Sequence, residues 1–563
     1  MSDRVDLLIR GTLVNVNTGN LQDRPVAVDD GEIVALEERP AERELETGYV
    51  TPGLIDAHMH VESSMVTLPR YGAAVVPRGV TSVIHDPHEI ANVLGTRGVR
   101  DVIEDAIHTP LKARFTVPSS VPASHLQDGG ATMDADDVAE LLDADRVVAL
   151  GEVMNIPGLL AGDEEVHSKI TAACERGLTV DGHAPRVTGA DLQEVARYLD
   201  NDHESIALDE AHEKVAAGLR VYLREGSASK NLEDLVGLVD DVDTRRLSLC
   251  TDDRDVEDLV ECGGVDFAVE KAIRLGVDPV EAVQMATINT AESYDLPFGR
   301  IEPGAPADLV LLENLESWDV EHVLVDGYLD PTEGAGEPPA SEVATDTVEF
   351  EPVTGADLAI EHPGPGPVEV RVVDAEGGLQ TARMTAEVPV DVTGSPAELD
   401  GALVADTDAD VLPLAVIERH GGDGGIGRGF VYRLGLERGA VGSTVAHDAH
   451  NCIVAGTDHA AMARVANHLR EIDGGVAAYD PTSDELTSLS LPVAGLMSDE
   501  PLADVKRKFE TVEEAARDIG LSHDGGMMEL SFLALEVIPK YRLTNNGLVD
   551  VDAFDYVDVL ASD

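Results

Sequence analysis

The chain has 563 residues, too many for one ordinary domain. The usual length of about 100 to 200 residues per domain, with barrels reaching about 250, predicts two or three. Its 40 Lys and Arg stand against 108 Asp and Glu, giving a net charge of −68 and a pI near 4.3. A surface of that sign repels phosphate, which argues against nucleic acid and anionic membranes as partners. No apolar run approaches the ~18 residues a membrane span needs, and residues 1–10 lack the basic start and apolar stretch of a secretory signal. A soluble, cytoplasmic protein is expected.

Lys supplies only 8 of the 40 basic residues, and the acids are spread through every segment instead of forming one tail. That pattern fits adaptation to high salt, where screening over a few ångströms removes the self-repulsion. Cys174, Cys250, Cys262 and Cys452 form no C-x-x-C pair, so they read as reduced core thiols and not as a disulfide framework or structural zinc site. The missing pair also excludes the zinc site built from H-x-E and P-C-x-x-C.

In chain order, residues 5–9, 26–28 and 33–36 are short alternating apolar stretches. Asn17-Thr18-Gly19 and Asp30-Gly31 punctuate them, predicting small antiparallel strands joined by tight turns. From about residue 51 the pattern changes, and brief apolar runs alternate with longer helix-like stretches. The runs are 53–57, 81–85, 113–117, 147–151, 178–181, a weak one ahead of His203, 219–223 and 247–251. Eight β/α units in about 250 residues predict a (β/α)8 barrel, here over residues 51–298. Residues 299–328 then read as returning strands that complete, with residues 1–50, one small β module. Residues 329–347, rich in Pro, Gly and acids, read as a linker. A C-terminal α+β domain is expected over 348–563, with a strand at 368–373, a Gly-rich stretch at 421–429 and a helix at 460–471.

His58 and His60 follow the first run, and strand alternation puts both imidazoles on one side of its C-terminal end, the end where barrel enzymes keep their active sites. Glu152, His183, His203 and Asp252 stand at the ends of later runs. Singly, each has a plainer reading: Glu152 as a solvated rim carboxylate, His183 and His203 as core or capping histidines, Asp252 as a helix N-cap. Six metal-competent groups at the same end of different strands are harder to explain that way. Four histidines and two carboxylates suit Mn, Fe or Zn, whereas Mg or Ca would want oxygen throughout. Six ligands exceed the needs of one open catalytic site, so two ions are expected.

The stretch Pro52-Gly53-Leu54-Ile55-Asp56-Ala57-His58-Met59-His60-Val61-Glu62-Ser63-Ser64 resembles the first-strand signature of the adenine deaminase family, within the amidohydrolase superfamily. Asp86-Pro87-His88-Glu89-Ile90-Ala91-Asn92, Pro118-Ser119-Ser120-Val121-Pro122, Gly151-Glu152-Val153-Met154-Asn155, Asp181-Gly182-His183-Ala184-Pro185, Arg224-Glu225-Gly226-Ser227-Ala228 and Cys250-Thr251-Asp252-Asp253-Arg254 resemble it too. Toward the C-terminus, Val416-Ile417-Glu418-Arg419-His420, Ala446-His447-Asp448-Ala449-His450-Asn451 and residues 491–499 continue the likeness. Arg186 stands where a small residue is more usual, and residues 333–361 diverge. The resemblance implies adenine as substrate, a purine-salvage role and a binuclear Fe or Mn centre, with Zn as an alternative. It further implies that His58, His60 and Asp252 hold one ion, that His183 and His203 hold the other, and that Glu152 bridges. A homo-oligomer is expected.

Deamination at C6 needs a hydroxide at neutral pH, ring protonation at N1 and departure of ammonia. A bound ion lowers the pKa of its water to about 7, and Asp252 is placed to take a proton and relay it to the amine. Glu62 is the candidate N1 acid, with His88 and Glu89 as rivals; the plainer reading of Glu62 is a rim carboxylate or a partner that orients a ligand histidine. The substrate pocket is expected from Glu62, Asp86, His88 and Ser119. Two other readings remain. One is a cyclic-amide hydrolase of dihydroorotase or hydantoinase type, which would want a carboxylated lysine where Glu152 stands. The other is an inactive barrel serving as a scaffold.

Overall fold

A computed structural model describes the chain apart from residues 1–3, 228, 335, 337, 342, 363, 365, 376–382, 392–400, 423, 523–525 and 562–563. Ala228 of the stretch quoted above and residues 335, 337 and 342 of the expected linker lie outside the described residues. The chain packs as two compact units: Met1–Pro87, Arg100–Ser120 and Asp134–Ser341 form the first, and His88–Val99, Val121–Met133 and Glu342–Asp563 the second.

The first unit holds the split sheet. Val5–Asn15, Asn20–Asp23, Val26–Asp29, Glu32–Ala35 and Ala41–Pro52 share it with Leu309–Asn314, Asp319–Val325 and Tyr328–Leu329 from the return segment. The hairpin between Val26–Asp29 and Glu32–Ala35 turns on Asp30 (φ 50°) and Gly31 (φ 81°), the left-handed pair that two-residue hairpins favour. Val5–Asn15 pairs antiparallel with Val26–Asp29, and that strand with Glu32–Ala35, as expected. Val5–Asn15 lies parallel to Ala41–Pro52, because the intervening strands turn back twice before the chain returns to its far side. Leu309–Asn314 pairs antiparallel with Ala41–Pro52, and Leu7, Ile9, Leu13, Val50, Leu309 and Leu311 are buried in one core beneath the sheet.

The same unit contains eight parallel strands: Leu54–Met59, Val80–His85, Lys112–Val117, Val147–Val153, Thr179–Gly182, Asn201–Asp202, Arg220–Arg224 and Leu247–Cys250. They form a curled five-stranded sheet from the first five and a three-stranded sheet from the last three, each in chain order. Between the two sheets, the Asp200 N–H donates to the Val180 carbonyl at 3.0 Å. On the other side the Asp252 N–H donates to the His58 carbonyl at 2.9 Å, and the His60 N–H to the Asp252 carbonyl at 3.2 Å. Buried strands of this kind read as near-continuous apolar runs. His58, Glu152, His183, His203 and Asp252 stand at or just beyond their C-terminal ends.

In the second unit an eight-stranded sheet runs in the order Met384–Val388, Val368–Asp374, Ile426–Tyr432, Val411–Ile417, Cys452–Gly456, Ala440–Ser443, Gly475–Asp480 and Glu485–Ser490. The helix His459–Glu471, capped by Asp458 accepting from the Ala461 N–H, buries Met462, Val465, Ala466 and Leu469 in a core shared with Ala415, Val454 and Ala477. Residues 88–99 and 121–133, which lie within the 51–298 stretch of sequence, pack with this unit. The helix His88–Asp105 is interrupted at Gly95 (φ 61°), a left-handed geometry that glycine adopts without strain.

Candidate metal centre

Alternation along Leu54–Met59 turns Ile55 and Ala57 into an apolar cluster and leaves Asp56, His58 and His60 on the opposite face. His58, His60, Glu152, His203 and Asp252 are all buried, and His183 is half-buried. They converge: the ligand-capable atoms of His58, His60 and Glu152, of His58, His203 and Asp252, and of Glu152, His183 and His203 each lie within 4.8 Å of one another.

Glu152 stands at the centre with its two oxygens facing different partners. Oε1 lies 3.3 Å from His60 Nε2, while Oε2 lies 2.7 Å from His183 Nδ1 and 3.3 Å from His203 Nε2. Asp252 Oδ1 lies 3.3 Å from His60 Nε2 and 3.6 Å from His58 Nε2. Asp252 adopts φ 58°, a left-handed conformation that Asp tolerates better than most residues and that concentrates at functional positions.

Supporting contacts orient the set. The His60 Nδ1 contact with the Asp86 carbonyl, 2.9 Å, assigns its proton to Nδ1 and turns Nε2 inward, the usual arrangement of a ligating histidine. Asp86 Oδ2 accepts from the Glu152 N–H at 3.1 Å. Gly151 permits this approach, since a Cβ there would stand 2.5 Å from that oxygen. Asp56 accepts from the Thr251 N–H at 3.0 Å and from its hydroxyl at 2.6 Å, fixing the strand end that delivers Asp252. Burial pushes Asp56 up to about 7.

The site's two central carboxylates are held ionised. Burial pushes the Glu152 carboxyl up, but His183, His203 and His60 outweigh it and hold it well below the usual carboxylate range. Burial acts likewise on Asp252, and Arg224, His58 and His60 reverse it. Burial lowers His183, yet Glu204 and Glu152 raise it to about 9. Both ring nitrogens of His58 and of His203 are buried without a hydrogen bond among the described residues. Buried polar atoms are rarely left so. Imidazoles converging on two carboxylates suit a divalent-ion centre.

Two residues at the site escaped the sequence reading. Arg224 donates to both Asp252 Oδ2 and Glu204, and Glu204 Oε1 stands 3.9 Å from His203 Nε2 and 4.0 Å from His183 Nδ1. Both follow strand ends already singled out, Glu204 directly after His203, and position was the available signal.

Of the expected pocket residues, Glu62 is buried with Oε2 3.7 Å from His85 Nε2, and burial pushes His85 down to about 3, keeping it neutral. The Ser119 hydroxyl donates to the Glu152 carbonyl at 2.6 Å. His88 and Glu89 belong to the second unit, where His88 Nε2 lies 3.5 Å from Asp448 Oδ2.

A histidine and carboxylate centre at the C-terminal ends of a curled parallel sheet defines a metal-dependent hydrolase of the amidohydrolase class, and the amidohydrolase family matches residues 49–329. Residues 371–555 match the adenine deaminase C-terminal domain. An adenine deaminase of Desulfatibacillum aliphaticivorans is 41% identical, covering 98% of this chain and 97% of the relative. Those of Methanothrix thermoacetophila and Dehalococcoides mccartyi are each 39% identical, covering 98% of this chain and 96% of theirs. The chain belongs to the adenine deaminase family.

Proposed function

We propose that the protein hydrolyses adenine to hypoxanthine and ammonia at a binuclear centre in the first unit. The observation that carries this reading is the division of Glu152: one oxygen toward the His58 and His60 side, the other toward His183 and His203, as a carboxylate shared by two ions requires. His58, His60 and Asp252 would hold one ion and His183 and His203 the other, with Mn or Fe favoured and Zn an alternative for this donor set. The bonds at both seams between the parallel sheets support a closed (β/α)8 barrel over 51–298, with 1–50 and 299–328 as its small β module, 329–347 as the linker and 348–563 as the C-terminal domain.

Bound divalent ions supply a water acidic enough to attack at neutral pH. Arg224 holds Asp252 Oδ2, leaving Oδ1 on the histidine side as the base that takes the water proton and returns it to the departing amine. Glu62 protonates N1. Of the three candidate donors it alone belongs to the unit that carries the centre. The C6–O bond forms, the second water proton returns from the C6 hydroxyl to Glu62 to replace the one given to N1, the C6–N bond breaks, and ammonia leaves. Asp86 and Ser119 fix the Glu152 strand end that borders the base.

The test is ammonia release by the Mn-loaded protein. Adenine should be turned over and adenosine rejected, because an edge-bound purine leaves no room at N9 and a misplacement of about 1 Å can cost about 100-fold. Equal rates on both would overturn the free-base assignment. No release from either, with turnover of a cyclic amide such as dihydroorotate, would establish the other hydrolase reading.

A further inference from the structure

The second unit contains a buried cluster that the reaction above does not use. Glu89 is the second residue of the helix His88–Asp105. His447 and His450 come from the segment between the strands Ala440–Ser443 and Cys452–Gly456. All three side chains are buried. Glu89 Oε1 lies 2.9 Å from His447 Nδ1, and Oε2 contacts His450 Nε2. His450 adopts φ 55°, which folds the segment back so that two histidines only three residues apart address one carboxylate. One ligand-capable atom from each of the three lies within 4.8 Å of the others.

The Glu89 carboxylate is buried with imidazoles as its partners. Among the described residues, the ion pairs of the Glu89 carboxylate are with these two imidazoles. The buried Arg419 donates to the His450 carbonyl and to that of Ala494, 3.0 Å away, and not to Glu89. Burial pushes Glu89 up, but His447 and His450 hold it well below the usual carboxylate range, whereas burial pushes His450 down and favours its neutral form. A second buried carboxylate, Asp448, 6% exposed, stands between the two histidines in sequence, with Oδ2 3.5 Å from His88 Nε2. Buried carboxylates without a cation carry a large desolvation cost.

We propose that Glu89, His447 and His450 form a third divalent-cation site, internal to the second unit and separate in its ligands from the binuclear centre. Two imidazoles and one carboxylate suit a first-row ion such as Mn2+, and the three donors leave coordination positions for water or for Asp448. The ion would clip the start of the helix to the 447–450 segment. His450 Nδ1 accepts the Ala446 N–H at 3.2 Å, so the ring proton sits on Nε2 and points at Glu89. Binding through Nε2 would move that proton to Nδ1, which then no longer accepts from the Ala446 N–H. The third ion is therefore held more weakly than the other two.

The experiment is anomalous diffraction at the Mn edge from crystals of the full-length wild-type chain equilibrated with millimolar Mn2+, with Mn content measured in solution. A peak between Glu89, His447 and His450 is expected. In solution, Mn content should fall from three toward two per chain on dialysis, the third being lost first. Added Mn2+ should raise the Tm beyond the value reached with two ions filled, and Glu89→Gln and His447→Asn should each abolish that extra shift. Absence of density at this cluster in crystals whose catalytic centre is Mn-filled would overturn the proposal, and needs no variant to fold. Because the peaks are resolved by position, density here with none at Glu152 would count against the binuclear centre alone.

Discussion

Replacing Glu152 by Gln is the sharpest perturbation of the centre, because it keeps the shape and removes the charge at a side chain that faces His60 through one oxygen and His183 and His203 through the other. Its oxygens stand 3.3 Å from His60 on one side, and 2.7 and 3.3 Å from His183 and His203 on the other. An amide offers a neutral oxygen to one set and an N–H to the other. Removing a group that only supports a ligand costs about 10- to 100-fold in metal affinity, so a direct ligand should cost at least about 100-fold, or about 2.8 kcal/mol, at each ion. Glu204, whose Oε1 is 3.9 to 4.0 Å from the same imidazoles, is the comparator, and Glu204→Gln should cost about 10-fold or less. The assay is Mn2+ competition against a calibrated chelator, followed by Mn content after dialysis. Glu152→Gln should fall below one tightly held ion per chain and lose deaminase activity with it. Loss of only one ion, with the other at wild-type affinity, would refute the bridging assignment.

Three further outcomes are expected. Glu62→Gln should lower kcat by about 100-fold or more, the scale of a lost positioned acid, with Mn content unchanged; loss of metal would instead make Glu62 a support for the centre. With a net charge of −68, the Tm should rise between 0.1 and 1 M salt as the screening length falls from about 10 Å to about 3 Å, and a flat Tm would show that the acidic surface is no adaptation to salt. Burial and the nearby Asp448 raise Glu536 from 4.5 to about 8. A carboxyl raised on folding stabilises fully below its unfolded pKa, and that stability drains away as pH climbs to about 8. At 1.36 kcal/mol per unit the loss is at most about 5 kcal/mol. Glu536→Gln should therefore flatten the decline in urea-unfolding stability between pH 5 and 8.5, and an unchanged slope would remove Glu536 as its source.

Much of the architecture was legible locally. A strand lies at each of the eight apolar runs, down to the two-residue Asn201–Asp202 at the weakest of them, because a strand buried on both faces has to be apolar wherever it sits in the fold. The placement of His58 and His60 on one face follows from strand alternation, and the Asp30-Gly31 hairpin from turn chemistry. Both depend only on neighbours in sequence. Partner choice does not. That Val5–Asn15 lies parallel to Ala41–Pro52, that the Ser119 hydroxyl is taken up by the Glu152 carbonyl, and that residues 88–99 pack with the second unit all depend on segments tens to hundreds of residues away. Arg224 illustrates the limit. Its residue type at a strand end shows a charge that must be neutralised, but only tertiary structure brings Asp252 from 28 positions along the chain to receive it, since the desolvation cost of a buried guanidinium is met by whichever carboxylates the fold delivers.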